Sequence, residues 1–293
     1  MTQINELLDF LGESVTPFHA VRGMCKRLEQ AGFESVERFD PSAMVPGRGY
    51  FMTKQGSSLV ALRAGVQELG RGLRLVGAHT DSPNLSVKPN PVTGRDGCVQ
   101  LGVDIYGGAL LNPWFDRDLA LAGRLTVLTA EGELRLVLFD SVSPVAVVPS
   151  LAIHLDREAN KQRSINPQKD VVPLVMLGDA KGFDFKSWLA EKLAEQDNTC
   201  VGARVMDYEL SLYDTQPPAL VGIDQSFITS ARLDNLLSCY AGLRAIIDEQ
   251  EAEWSMLVAT DHEEVGSAST IGAQGPMLMD ALTALAPDPL LNQ

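Results

Sequence analysis

The sequence predicts an α/β fold in which one domain is interrupted by an inserted β-rich domain, and three observations carry that expectation. Helix-type and strand-type segments alternate near both ends of the chain, whereas the middle holds mostly short apolar runs. Pro83, Pro89 and Pro91 punctuate the chain where the first pattern gives way to the second. After Ile223 the alternation returns. The expected boundaries are 1–88 and 225–293 for the discontinuous outer domain and 89–224 for the insert.

Ile4, Leu7, Leu8 and Leu11 recur at spacings of three and four, the mark of an amphipathic helix. A second helix is expected after Thr16 and Pro17, with Thr16 as N-cap and Pro17 in the first turn. Its apolar stripe is Val21, Met24, Cys25 and Leu28, ending near Gly32. Strands follow at 50–52, 58–62 and 73–78. In the insert, 121–129, 134–139, 145–148 and 205–213 read as strands and 186–196 as a helix. The last part reads as a helix at 236–247, a short buried strand at 255–260 and a helix at 276–285.

The chain has 293 residues, 45% of them apolar, with a formal net charge of −14. Nucleic-acid binding is disfavoured, because neutralising phosphates takes clustered Lys and Arg. The N-terminal stretch interleaves acids with apolar residues and lacks a basic n-region, so neither a secretory signal nor a membrane span is expected. Cys25, Cys98, Cys200 and Cys239 form no CxxC pair, which suits free thiols in a cytoplasmic protein. No GxSxG elbow, Walker loop or Cys–His motif is present.

Chemistry concentrates in three clusters. His79 and Asp81 follow the strand expected at 73–78, and two residues apart in extended chain their side chains leave on one face. Asp81 then either orients a metal-binding imidazole or closes a turn over Pro83. Asp234 precedes a helix, where a carboxylate is either an N-cap or a bridge between two ions. Asp261, His262, Glu263 and Glu264 follow the strand expected at 255–260. Such acidic density at a strand end calls for a cation or for solvent. One carboxylate there could ligate an ion while its neighbour, facing a water, serves as general base. Together the clusters supply the parts of a two-metal hydrolase.

These motifs, with Tyr106-Gly107-Gly108, the run from Trp114 to Leu119, and Leu151-Ala152-Ile153-His154-Leu155, resemble the aspartyl aminopeptidase family of zinc metallopeptidases. The resemblance implies a mixed-sheet di-zinc aminopeptidase domain flanked by helices and an inserted β-rich dimerisation domain. It implies two zinc ions, with Mn2+ or Co2+ as substitutes, and removal of N-terminal Asp or Glu from peptides. His79 would be a terminal ligand, Asp234 the bridge, Glu264 a ligand of the second ion and Glu263 the general base, with Asp81 orienting His79. His154 matches a histidine that reaches a neighbouring subunit's active site and is counted among the zinc residues. A dimer-based homo-oligomer of up to twelve subunits is implied, with no nucleic-acid or membrane partner. Family members carry a further Asp and a final His ligand beyond the acidic motif, which this sequence lacks. Each ion is therefore expected to keep two of its three usual protein ligands. The alternative is an impaired, truncated subunit acting only in assembly. A related two-metal amidohydrolase acting on acylated amino acids shares the metal logic.

Overall fold

The computed structural model describes residues 3–66, 69, 72–249 and 253–285, so positions 1, 2, 67, 68, 70, 71, 250–252 and 286–293 of the expected outer domain lie outside the described residues. It divides into two compact units, Met1–Ser82 with Pro217–Gln293, and Pro83–Gln216. Among the described residues no helix is long and apolar enough to cross a membrane.

The first unit opens with helices α1 (Gln3–Glu13) and α2 (Pro17–Gln30). Strands β1 (Glu34–Ser35), β2 (Gly49–Lys54), β3 (Ser58–Arg63) and β4 (Leu73–His79) follow. After the second unit come β11 (Ala219–Val221), β12 (Phe227–Thr229), α4 (Leu233–Asp248), β13 (Trp254–Thr260) and α5 (Met277–Leu285). The main sheet has the order β1-β2-β3-β13-β4. The buried strand expected from sequence, β13, is antiparallel to β3 and parallel to β4. Its alternate residues serve two cores, as the twofold period of a strand requires. Leu257 and Ala259 pack with Phe10, Met24, Leu28, Leu236 and Leu243 from α1, α2 and α4. Met256 and Val258 pack with Met277, Ala281 and Leu285 of α5.

Thr16 caps α2 as expected, its Oγ1 accepting from the His19 amide and lying 2.7 Å from His19 Nδ1. Burial, reinforced by Arg22 and Arg232, holds the His19 imidazole down at a pKa of about 3. The unfolded chain therefore takes up this proton at a higher pH than the folded one, and His19 contributes stability above pH 6.5 that fades as pH falls toward 3. The expected slope from one such proton is at most about 1.4 kcal/mol per pH unit. His19→Asn, which keeps a polar atom near Thr16, should flatten the dependence. Urea midpoints of both proteins between pH 4 and 7 check this, and parallel curves would contradict it.

The second unit holds β5 (Asn84–Arg95), β6 (Cys98–Tyr106), β7 (Leu119–Leu128), β8 (Leu134–Asp140), β9 (Leu174–Leu177), α3 (Phe185–Gln196) and β10 (Arg204–Asp214). They form one antiparallel sheet in the order β8-β7-β10-β5-β6-β9. Phe185, Leu189 and Leu193 of α3 pack on Leu101, Leu121 and Phe139. Asp184 caps α3, accepting from the Lys186 and Ser187 amides. Gly123 has φ +156°, and a Cβ there would meet the Glu209 carbonyl oxygen at 1.9 Å, so β7 and β10 close up only with glycine at this point.

Two local expectations are corrected. Pro89 and Pro91 do not form an exit between domains but lie within β5, where the register with β6 shifts between Val87 and Val92. A bulge tolerates residues that cannot donate to the ladder, and Tyr208 Oη donates to the carbonyls of Lys88 and Pro89. Residues 145–148 form isolated bridges to Leu119, Phe115 and Leu174 rather than a full strand. Pro144 and Pro149 bracket that segment and limit its ladder.

The units part after Ser82 and Gln216, so Pro83 opens the second unit, whereas the boundaries expected from sequence fall at 88/89 and 224/225. Residues from Asn84 onward run directly into the second sheet as β5, whereas β11 and β12 pair as a hairpin counted with the first unit.

Candidate active site

Strands β4 and β13 run in the same direction and finish together, with His79 opposite Thr260 and the Thr80 amide donating to the Thr260 carbonyl at 2.8 Å. Two chains thus leave the sheet at one level, beyond its carboxyl ends, where α/β sheets gather their ligands. Thr80 Oγ1 donates to the Ser57 carbonyl at 2.7 Å and fastens the exit of β4.

His79 is 8% exposed. Its Nδ1 lies 3.0 Å from the Asp81 carbonyl oxygen and 3.3 Å from Asp81 Oδ1. Since a carbonyl only accepts, Nδ1 carries the proton and Nε2 is the atom left to face outward. Nε2 stands 3.2 Å from Asp234 Oδ1 and 3.7 Å from Glu263 Oε2. Burial favours the neutral ring, but Asp81 through hydrogen bonding and charge, with Glu263 adding, raises the His79 pKa to about 9.

Asp81, only 1% exposed, does more than orient the ring. Its Oδ1 accepts from the Glu263 amide at 3.2 Å and its Oδ2 from the Glu264 amide at 3.1 Å. This carboxylate therefore clamps the turn after β13 onto the segment after β4, reaching the Glu263 and Glu264 amides 182 and 183 residues away along the chain. Glu263–Val265 form a single 3-10 turn, entered through His262 at φ 65° and left through Gly266 at φ 97°. Asp261 is buried, and burial holds its carboxyl above the usual carboxylate range. Its Oδ1 accepts from the His262 amide, while the His262 ring turns aside to Ser269 Oγ at 2.7 Å.

Asp234 lies in the non-helical first residues of α4, at φ −84° and ψ 107°, followed by a cis peptide to Asn235. Regular helix starts only beyond Asn235, as the apolar periodicity indicates. The Asp234 carboxylate is 80% exposed and reaches His79. Burial first, then Asp81, with further contributions from Glu263 and Asp234, raises the Glu264 carboxyl above its ordinary range against the opposing pull of His79.

His79, Asp81, Asp234, Glu263 and Glu264 are thus brought into one electrostatic neighbourhood. His154 belongs to the second unit, in an exposed turn, and the apolar residues around it, Leu151, Ile153 and Leu155, are exposed as well. Two positioning groups were not singled out from sequence. Ser82 Oγ donates to the Asp234 carbonyl at 2.7 Å, and Cys239 Sγ to the His79 carbonyl at 3.1 Å. Ser82 adjoins the His79–Asp81 motif, whereas Cys239 carries no signal beyond its helical spacing.

The donors suit a borderline cation such as zinc. Two atoms bound to one tetrahedral zinc at about 2.0–2.1 Å stand roughly 3.3 Å apart, and His79 Nε2 and Asp234 Oδ1 are 3.2 Å apart. Among the described residues, however, no group of three or more His, Cys, Asp or Glu side chains converges as a complete ligand set. The residues fit part of a metal site, and an ion there would draw its remaining donors from elsewhere.

A family model described as "Aminopeptidase I zinc metalloprotease (M18)" matches residues 10–287. The chain belongs to the M18 family. This M18 chain is 50% identical over 285 residues to a Pseudomonas putida (strain GB-1) protein named "Probable M18 family aminopeptidase 2". The match covers 96% of the chain and 66% of that relative, so the chain spans just under two thirds of the relative's length. Among solved structures, a chain of the Ape4 and Nbr1 complex matches with a TM-score of 0.89 and 32% identity over 97% of this M18 chain and 58% of its own length. Chaetomium thermophilum mApe1 matches with a TM-score of 0.83 and 28% identity, covering 96% and 67%. The mixed α/β fold is the fold of these M18 aminopeptidases.

Proposed function

We propose that this chain serves an aminopeptidase that removes N-terminal residues, Asp or Glu, from peptides at a two-zinc site. The observation that carries the reading is the 3.2 Å approach of Asp234 Oδ1 to His79 Nε2, with Glu263 Oε2 3.7 Å from the same nitrogen. His79 and Glu264 would hold one ion each and Asp234 would bridge them, with Mn2+ or Co2+ as substitutes for Zn2+. When bound, such ions polarise the scissile carbonyl and lower the pKa of water. Asp81 keeps Nε2 of His79 facing outward and holds the amide of Glu263, which sets where that side chain starts. Glu263 Oε2 takes the proton of the attacking water and returns it to the leaving amine. His154, exposed in the second unit, would act in the site of a neighbouring subunit of a homo-oligomer.

The test joins metal content with turnover. Chain refilled with zinc should release nitroaniline from Asp- and Glu-nitroanilide, lose the activity on chelation, and regain it with zinc. Folded chain that binds two ions and leaves both substrates intact would overturn the reading. A non-catalytic assembly subunit is the second reading, motivated by the absence of a complete ligand set among the described residues. It expects large assemblies, by light scattering, with little bound zinc.

A further inference from the structure

The 3.2 Å approach of Asp234 Oδ1 to His79 Nε2 joins side chains from two segments far apart in the chain. Packing does not fix the Asp234 carboxylate, which is 80% exposed. Its backbone, at φ −84° and ψ 107°, also stands outside the helical conformation that orders the rest of α4. Where the carboxylate starts therefore depends on what holds the main chain. Two side chains do so, in opposite directions. Ser82 Oγ, in the segment after His79, donates to the Asp234 carbonyl at 2.7 Å. Cys239 Sγ, in the regular part of α4 that follows Asp234, donates to the His79 carbonyl at 3.1 Å. A carbonyl only accepts, so the hydroxyl and the thiol are the donors. Both residues are buried, which strengthens each bond relative to its counterpart in water. The segment around Ser82 is itself fastened, by Thr80 to the Ser57 carbonyl and by Asp81 to the Glu263 and Glu264 amides.

We propose that Ser82 and Cys239 are paired positioning residues, a reciprocal latch that sets the spacing of His79 and Asp234 before any ion arrives. Each segment contributes a side chain that holds the backbone of the other segment's candidate ligand. Neither side chain touches the ion; both act through the carbonyl of a residue that would. Two donors on one tetrahedral zinc stand roughly 3.3 Å apart, and the latched chain already holds 3.2 Å. A site whose supporting groups fix it close to the productive geometry loses little freedom on binding. Removal of one donor leaves the other bond in place, so each loss loosens the spacing without abolishing it. The metal arm of the test rests on the two-zinc reading of His79 and Asp234, whereas the latch itself is read without metal.

The experiment compares the full chain with Ser82→Ala and Cys239→Ala, and with Ser82→Thr and Cys239→Ser, which keep a donor. The first readout is hydrogen exchange of the Leu236 amide in metal-free protein, because that amide donates to the Arg232 carbonyl across Asp234 at 3.2 Å. Exchange should be about three- to tenfold faster in each alanine variant, the effect of one lost hydrogen bond. It should return close to the original rate in the threonine and serine variants, with β2 and β3 protected throughout. The second readout is zinc affinity by competition with a chelating dye. Affinity should fall about 10- to 100-fold in the alanine variants, the usual effect of losing a group that orients a ligand, and recover in the variants that keep a donor. Unchanged Leu236 exchange in both alanine variants overturns the proposal, as does zinc bound by them as tightly as by the unaltered chain. So does equal impairment in the donor-keeping variants, which would trace the effect to packing. A chain that binds no zinc but shows the exchange pattern refutes the two-zinc reading and supports the latch. If Cys239→Ala loses protection in β2 and β3, the two Ser82 variants decide.

Discussion

Glu263→Gln is expected to lower kcat on Asp-nitroanilide by about 10²- to 10⁴-fold, the usual contribution of a positioned general base. The substitution preserves shape and hydrogen-bonding reach and removes only the ability to take a proton. Glu263 is suited to the role because its side chain is 54% exposed, with Oε2 directed to within 3.7 Å of His79 Nε2. Its backbone is immobilised by the bond from its amide to Asp81 Oδ1. A base differs from a ligand in what its loss leaves behind. Zinc content and KM should therefore stay near those of the unaltered chain in Glu263→Gln, whereas Glu264→Gln should lose metal. Loss of zinc in both variants, or full activity in Glu263→Gln, would remove Glu263 from the role.

Asp81→Ala is expected to destabilise the first unit by about 2–5 kcal/mol, read as a lower urea midpoint, because a buried charged acceptor is removed while its donors remain. The amides of Glu263 and Glu264 are held by this one carboxylate, which also lies 3.3 Å from His79 Nδ1. Asp81→Asn keeps one acceptor oxygen of similar shape and should recover part of the loss. Zinc affinity should fall as well, by about 10- to 100-fold, since the imidazole keeps the Asp81 carbonyl at Nδ1 but loses the carboxylate that reinforces its orientation and basicity. An Asp81→Ala chain as stable as the original would show that the clamp between the two strand ends contributes nothing.

Several features were legible without coordinates because they depend on chain neighbours. The stripe of Leu7 and Leu11, the Thr16-Pro17 cap and the apolar run of β13 follow from helix and strand periods and from capping chemistry. So does the location of His79 at the end of β4 and of Glu263 just past β13, since an apolar run that stops at a polar cluster marks a strand leaving the core. Proline was misleading in β5, where local rules indicate a break but pairing with β6 across a bulge absorbs Pro89 and Pro91. The Val145–Val148 run erred the other way, apolar enough for a strand but flanked by prolines that limit its ladder.

By itself the sequence determined most of the elements that form and which polar side chains stand at the ends of β4 and β13, because these depend on residues a few positions apart. Only the tertiary structure decided that the Asp81 carboxylate joins two strand ends through the Glu263 and Glu264 amides, that Asp234 reaches His79, and that β4 stands at a bare sheet edge. Those facts involve partners separated by more than 150 residues, and no local spacing rule encodes such pairings. They arise when β13 inserts between β3 and β4 and brings distant segments to a common level.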